Sequence, residues 1–255
     1  MNKEDLERIV DNPEMIPGIF NYCDRWCERC NFTSKCATYA LEQKQFPDAD
    51  ADLNNKVFWE KLGEIFKITM EMIVESAEEM GIDLNDIDDE EFVASEEELE
   101  EKTSNHHCSV ASKIYYKEVS KWFENAETIL KVKEAELNKN LQIGITNDEG
   151  AQLNDIIDII HWYQYQIHVK IRRGFHGKFD PLGEDEDYPK DSDGSVKVAL
   201  IGIDRSIAAW GKMLSFFPDK EDDTLQLLVL LEKLRRNTEK EFPDARAFVR
   251  AGFDE

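Results

Sequence analysis

Apolar side chains recur at helical spacing along most of the 255 residues. The clearest case lies in residues 52–80, where the apolar positions are Val57, Phe58, Leu62, Ile65, Phe66, Ile68, Met72 and Ile73. Intervals of three and four residues place these side chains on one face of an α-helix, which Gly81 is expected to end. Clear alternation of the kind that β-strands show is absent from the sequence, so the pattern predicts a helical protein.

The same spacing predicts further long helices over about residues 106–139, 149–173 and 195–217. Shorter helices are expected over about residues 222–240 and after Pro243. The fourth long helix is apolar nearly all round, which is typical of a central helix. Its glycines, Gly202 and Gly211, are expected to let a neighbouring helix approach closely. Four long helices that can run antiparallel predict an all-α bundle.

Two acidic segments interrupt this pattern. Residues 83–101 carry eleven acids and no Lys or Arg, which predicts a solvated excursion because like charges repel one another. A short helix capped by Ser95 and Glu98 is the alternative. Residues 175–194 contain two prolines and many acids, which predict an acidic loop. The expected organisation is an N-terminal four-cysteine segment at 1–46, packed on a helical bundle at 47–255.

Four of the five cysteines fall close together near the start of the chain, with the spacing C-x3-C-x2-C-x5-C. They are Cys23, Cys27, Cys30 and Cys36, and we call this segment the cysteine box. Four thiolates can hold one metal centre or form two small disulfide loops. Because the first residues show no secretory signal, we expect a cytoplasmic protein whose thiols stay reduced. The cysteine box therefore predicts a metal site.

The compact spacing favours a [4Fe–4S] cluster over zinc. Structural zinc sites usually use two separate C-x2-C pairs, and here Cys27 and Cys30 form the single such pair. The first three cysteines have the spacing of the radical SAM family, but the α/β barrel of that family does not fit a helical chain. Cys36 also offers a fourth ligand. Flanking cations and aromatic rings can offset thiolate charge and exclude water, as Arg25, Arg29, Lys35, Trp26 and Phe32 would do.

Charge restricts the partners that this protein can bind. The formal net charge is −24 at pH 7, so phosphate backbones and anionic membranes are repelled. A protein partner or a second copy of the chain remains compatible with this charge. One concentrated basic patch can bind either an anion or the acidic residues 83–101 of the same chain, and we expect the second; it consists of Lys170, Arg172, Arg173, His176 and Lys178.

Polar side chains also recur at helical spacing within the third long helix, opposite an apolar face. The polar positions are Asp155, Asp158, His161, Tyr165, His168 and Arg172, and the apolar ones are Leu153, Ile156, Ile160, Tyr163, Ile167 and Ile171. Such a stripe is typical of a solvated helix face. The alternative hypothesis is that part of this stripe lines a functional pocket between the third and fourth long helices. That pocket would be formed by Asp158, His161, His168, Arg172, Asp204 and Arg205. Asp204 needs a partner within its apolar helix, and Lys170, Arg172 and Arg173 are candidates.

These features together predict a cytosolic metal-binding helical protein. Its four-cysteine centre is expected to be structural, and the protein is expected to act through binding or interaction. The alternative is an enzyme that uses the His/carboxylate pocket, with or without a second metal. No phosphate-binding, dinucleotide-binding or hydrolase motif is present in the sequence.

Overall fold

The computed structural model describes residues 8–9, 11–45, 56–82, 89–142, 149–180 and 190–254. Within these ranges the chain forms seven α-helices of nine residues or more and no strand. The helices are α1 (Ala37–Gln45), α2 (Lys56–Met80), α3 (Asp89–Asn105), α4 (His107–Gln142), α5 (Glu149–Phe179), α6 (Asp191–Phe216) and α7 (Glu221–Glu241). The all-helical prediction is confirmed, although five helices, rather than four, exceed twenty residues.

The chain divides into two compact units. One unit falls within Met1–Glu96 and Val249–Glu255, so it joins the cysteine box to residues near the end of the sequence. The other unit is Glu97–Phe248. The boundary that the sequence predicts near residue 46 lies outside the described residues.

A four-helix bundle forms the second unit. Helix α5 packs on α4 and α6, and α7 packs on the same two helices, so each member contacts two neighbours. The fourth member is α7, which the sequence predicts as a short helix. Leu227, Leu231 and Leu234 of α7 are buried at helical spacing and give it the apolar stripe that a bundle helix needs.

Helices α5 and α6 form the most extensive contact of the bundle. The six apolar positions predicted on one face of α5 are all buried. A Cβ atom at Gly202 would lie 2.8 Å from Cδ1 of Tyr163, so the predicted close approach at Gly202 is confirmed. No atom lies within 4 Å of a Cβ built at Gly211, so the same prediction for Gly211 is wrong.

The expectation that α5 ends before Gly174 is also wrong, since α5 continues to Phe179. A Cβ atom at Gly174 would lie 2.4 Å from Cγ2 of Val196, so this glycine serves helix packing rather than termination. Phe175 is fully buried against Phe242, with ring centroids 4.8 Å apart. These contacts hold residues 175–179 in the helix, and residues 191–194 begin α6, so the acidic loop is shorter than predicted.

The acidic excursion is helical where it is described. Residues 89–101 belong to α3, and residues 83–88 lie outside the described residues. Leu99 is 5% exposed, and Glu100 forms an ion pair with Arg172 of α5. Burial of one apolar side chain and pairing of one acid therefore stabilise this part of the chain. The predicted contact between the basic patch and residues 83–101 is confirmed for Arg172.

Candidate metal centre

The cysteine box is built from tight turns. Two short 3-10 helices, Cys27–Arg29 and Thr33–Lys35, each precede a cysteine. The backbone N–H of Cys30 donates to the carbonyl oxygen of Cys27 at 3.2 Å, and that of Cys36 donates to Thr33 at 3.3 Å. Because a 3-10 helix has three residues per turn, side chains three positions apart lie above one another. The C-x2-C spacing thus corresponds to one such turn, and the chain becomes extended at Cys30.

An unusual backbone conformation lies between the first two cysteines. Arg25 has a φ of 56°, and it is the one non-glycine residue with positive φ in the described part of the chain. This conformation is unfavourable for a residue with a Cβ atom and persists where surrounding structure requires it. The backbone N–H of Trp26 donates to Oδ1 of Asp24 at 3.3 Å. Arg25 thus lies in a left-handed turn between Cys23 and Cys27, which both line the same cavity.

All four cysteines of the box line one cavity. Most of the remaining wall is apolar or aromatic, and it includes Ile19, Phe20, Trp26, Phe32, Tyr39 and Phe253. The backbone N–H of Phe32 donates to Sγ of Cys30 at 3.4 Å. Hydrogen bonds of this kind stabilise a thiolate bound to metal and tune the centre. The guanidinium of Arg29 lies 4.0 Å from the ring centre of Trp26, which keeps a positive charge within the same segment.

Residues near the end of the sequence complete this wall. The rings of Phe32 and Phe253 meet edge to face with centroids 5.1 Å apart. Gly252 has a φ of 75°, and a Cβ atom there would lie 3.0 Å from Cδ1 of Ile19. Arg250 donates to both carboxylate oxygens of Asp254 at 2.9 Å, which fixes the turn. Sequence reasoning missed Phe253, because nothing in the local pattern links it to the cysteine box.

The one compact group of potential metal ligands in the described part of the chain lies outside the box. Among the described residues, which include all five cysteines, the one group of three or more His, Cys, Asp or Glu ligand atoms within 4.8 Å of one another is His106, His107 and Cys108. No three sulfurs of the box are therefore that close, whereas tetrahedral zinc with bonds of about 2.3 Å needs sulfurs about 3.8 Å apart. The five cysteines are thiols. Burial raises the pKa of Cys27 to about 11, so metal must displace its proton.

The His106, His107 and Cys108 group serves the start of α4. Nδ1 of His106 accepts a hydrogen bond from the backbone N–H of Cys108 at 3.3 Å. This hydrogen bond engages the Nδ1 lone pair, and the neutral ring then carries its proton on Nε2. The His106 ring also stacks on Phe175, with centroids 3.8 Å apart. Cys108 is fully buried, as a free cysteine that packs like a small apolar side chain often is.

The polar stripe of α5 lies beside α4 and α3. Nδ1 of His168 lies 2.8 Å from Oγ of Ser112, and the exposed ring of His161 stacks 4.2 Å from Phe123. Arg172 pairs with Glu100, and Asp158 is exposed. The candidate residues on α5 thus make their described contacts with α3 and α4.

The two candidate residues on α6 have other neighbours. Asp204 accepts hydrogen bonds from Arg246 at 2.6 Å and from Arg235 at 3.3 Å. The expectation that Asp204 is paired is confirmed, but its partners come from α7 and the segment after it. Arg205 is exposed and donates to the hydroxyl of Tyr163 on α5. Asp204 therefore faces α7, whereas the histidines of the stripe face α4.

Comparisons with known proteins identify no relative of this chain. No protein-family model, no curated protein and no solved structure matches the chain. Among the described residues, no helix combines the length and apolarity that crossing a lipid bilayer requires.

Proposed function

We propose that Cys23, Cys27, Cys30 and Cys36 together hold one [4Fe–4S] cluster with a structural role. The observation that carries this proposal is that all four thiols line one cavity with a largely apolar wall. Four thiolates that converge on one space are the ligand set that iron–sulfur clusters and structural zinc sites share. The protein then acts through binding or interaction, in a cytoplasm that keeps its thiols reduced.

The compact spacing of the cysteines in the sequence supports a cluster rather than zinc, because Cys27 and Cys30 form the single C-x2-C pair. The hydrogen bond from the backbone N–H of Phe32 to Sγ of Cys30 and the positive charge of Arg29 also favour an anionic centre. Zinc remains the alternative metal for the same four ligands.

A structural role follows from how little this segment buries. Within the described part of residues 8–45, Ile19 and Ala37 are the buried apolar side chains. The two 3-10 helices bury no residue. A segment with so small a core needs a covalent or metal link to hold one conformation, and metal binding then supplies the folding free energy.

Anaerobic purification, followed by metal and sulfide analysis and a visible absorption spectrum, tests the identity of the centre. We expect iron and sulfide in equal amounts, about four of each per chain, with a broad visible band. A colourless protein with one zinc per chain would contradict the cluster. Absence of metal together with a disulfide in the box would contradict any metal centre.

Limited proteolysis tests the structural role. Cys27→Ser removes one ligand, so we expect loss of metal and rapid cleavage within residues 8–45. The helical circular dichroism of the bundle should persist. The matched control is Cys108→Ser, which changes a thiol in the other unit and should leave metal content unchanged. If Cys27→Ser loses metal but resists cleavage as well as the wild type, the centre does not hold the segment.

A further inference from the structure

Helix α2 exposes a continuous line of large apolar side chains. Trp59, Phe66, Ile73 and Met80 follow one another at intervals of seven residues and are 54%, 63%, 48% and 68% exposed. Seven residues are close to two helical turns, so these side chains form one line along the helix, which we call the heptad row. Met70, which is 57% exposed, lies beside it. Among the described residues of this unit, no other helix makes an extensive contact with α2.

The positions beside the heptad row are also suited to burial. Leu62, Ile65 and Met72 are half-buried apolar side chains that widen the surface. Thr69 lies between them, and its hydroxyl donates to the carbonyl oxygen of Ile65 at 2.9 Å. Because the helix itself satisfies that hydroxyl, covering Thr69 leaves no unpaired polar group. The face can therefore be removed from water along most of its length.

The acids of α2 lie away from this face. Glu64, Glu71 and Glu78 also recur every seven residues, on the side of the helix roughly 140° from the heptad row. In a pair of helices joined through the row, these acids occupy the positions farthest from the partner. The positions that flank such a seam on one side are Gly63, Met70 and Ala77, which carry no charge, and Ala77 is already buried within the chain. On the other side, Glu79 is the one charged residue.

We propose that α2 pairs with α2 of a second copy of this chain through the heptad row. A seven-residue apolar repeat is self-complementary, since an identical helix presents the same row at the same heights. Helix α2 has 25 residues, or about 37 Å of length and three heptads. Two copies bring their rows together while their acids point outward. This inference does not depend on the metal in the cysteine box.

The heptad row supplies a large part of the area that a stable dimer buries. Aromatic side chains offer roughly 150–250 Å² each and Ile and Met somewhat less, so covering the exposed parts of the heptad row and Met70 removes on the order of 500 Å² of apolar surface from each copy. The half-buried positions beside the row add to this. The total approaches the roughly 800 Å² per partner of a standard interface. A partly exposed apolar surface of this size is unusual on a monomer.

Sedimentation equilibrium of the full chain over about 1–100 µM tests the pairing. We expect a dimer in the wild type. The double variant Phe66→Glu/Ile73→Glu places a charge in the seam at two heights and should raise Kd at least ~100-fold. The matched control, Leu225→Glu/Val229→Glu, adds the same charges on exposed positions of α7, which are 40% and 52% exposed, and should remain dimeric. A wild-type monomer, or a dimer that the first pair does not weaken, would overturn the proposal.

Two further measurements test the pairing, and the first of them checks that the helix is retained. Phe66→Ala/Ile73→Ala keeps a strong helix former at both positions and should raise Kd at least ~10-fold with unchanged circular dichroism. Higher salt should strengthen the dimer, because it screens the repulsion between two chains of net charge −24. A dimer that dissociates in salt would mean that ion pairs join the copies. If the protein is a monomer and Phe66→Ala/Ile73→Ala lowers its free energy of unfolding, the row is covered within its own chain. Each of these two results would overturn the proposal.

Discussion

The ring of Phe253 meets the ring of Phe32 edge to face, with centroids 5.1 Å apart. Phe32 lies between the third and fourth cysteines of the box, whereas Phe253 is distant from them in the sequence. Both rings line the cavity of the four thiols. The cavity of the four thiols is therefore lined in part by a segment that the cysteine pattern does not include.

Phe253→Ala should make the metal centre more accessible to solvent. Removing the ring opens one wall of the cavity, and exposure of an iron–sulfur cluster to water and oxygen shortens its lifetime. We expect the visible absorption of the anaerobically purified protein to decay several-fold faster in air than that of the wild type. Val249→Ala is the control, since Val249 is 60% exposed in the same unit. Equal decay of Phe253→Ala and wild type would show that Phe253 does not shield the centre.

Gly202→Ala and Gly211→Ala should have opposite effects on stability, although both lie in α6. The added methyl at Gly202 would lie 2.8 Å from the Tyr163 ring, so we expect a loss of about 1–3 kcal/mol. At Gly211 nothing lies within 4 Å, and alanine should stabilise the helix by up to about 1 kcal/mol. Urea unfolding followed by circular dichroism measures both. A neutral Gly202→Ala would mean that α5 and α6 do not approach as closely as described.

Asp204 and Arg246 should be energetically coupled. Oδ2 of Asp204 accepts a hydrogen bond from Nη1 of Arg246 at 2.6 Å, and both side chains are only partly exposed. A double-mutant cycle with Asp204→Asn and Arg246→Gln isolates their interaction. We expect a coupling of about 0.5–1 kcal/mol in the free energy of unfolding, because the partial exposure screens the charges. Additive effects within about 0.3 kcal/mol would indicate that the pair contributes nothing measurable.

His168 should make stability depend on pH near neutrality. Burial lowers the pKa of His168 below its ordinary value, and Oγ of Ser112 lies 2.8 Å from its Nδ1. The unfolded chain therefore takes up this proton at a higher pH than the folded chain. Between those two pKa values the unfolded state binds more protons, so the free energy of unfolding falls as pH falls.

Urea unfolding at several pH values between about 5 and 8 measures this slope. His168→Gln keeps a polar side chain beside Ser112 but does not titrate, so its slope should be smaller than that of the wild type. Burial also lowers the pKa of His106, which accounts for part of the remaining slope. Identical slopes in the variant and the wild type would contradict the contribution of His168.

Much of the fold can be predicted from local periodicity. The buried face of α5 is recognisable from its spacing alone, because a helix that packs on one side must place apolar residues every three or four positions. The ends of helices are less predictable. Gly174 has the residue type of a helix terminator, yet close packing on Val196 explains its presence inside α5. The acidic helix α3 depends on Leu99 and on the pair between Glu100 and Arg172, which join residues distant in the sequence.

By itself the sequence determined that the chain is helical, that α5 has an apolar face opposite its polar stripe, and that four cysteines form one compact group. These properties follow from short intervals, which the geometry of a single helix or turn translates directly into space. The tertiary structure decided which four helices form the bundle, which arginines pair with Asp204, and that Phe253 closes the cysteine cavity. Such contacts join distant residues, and their partners are selected by packing and charge in three dimensions, which no local pattern records.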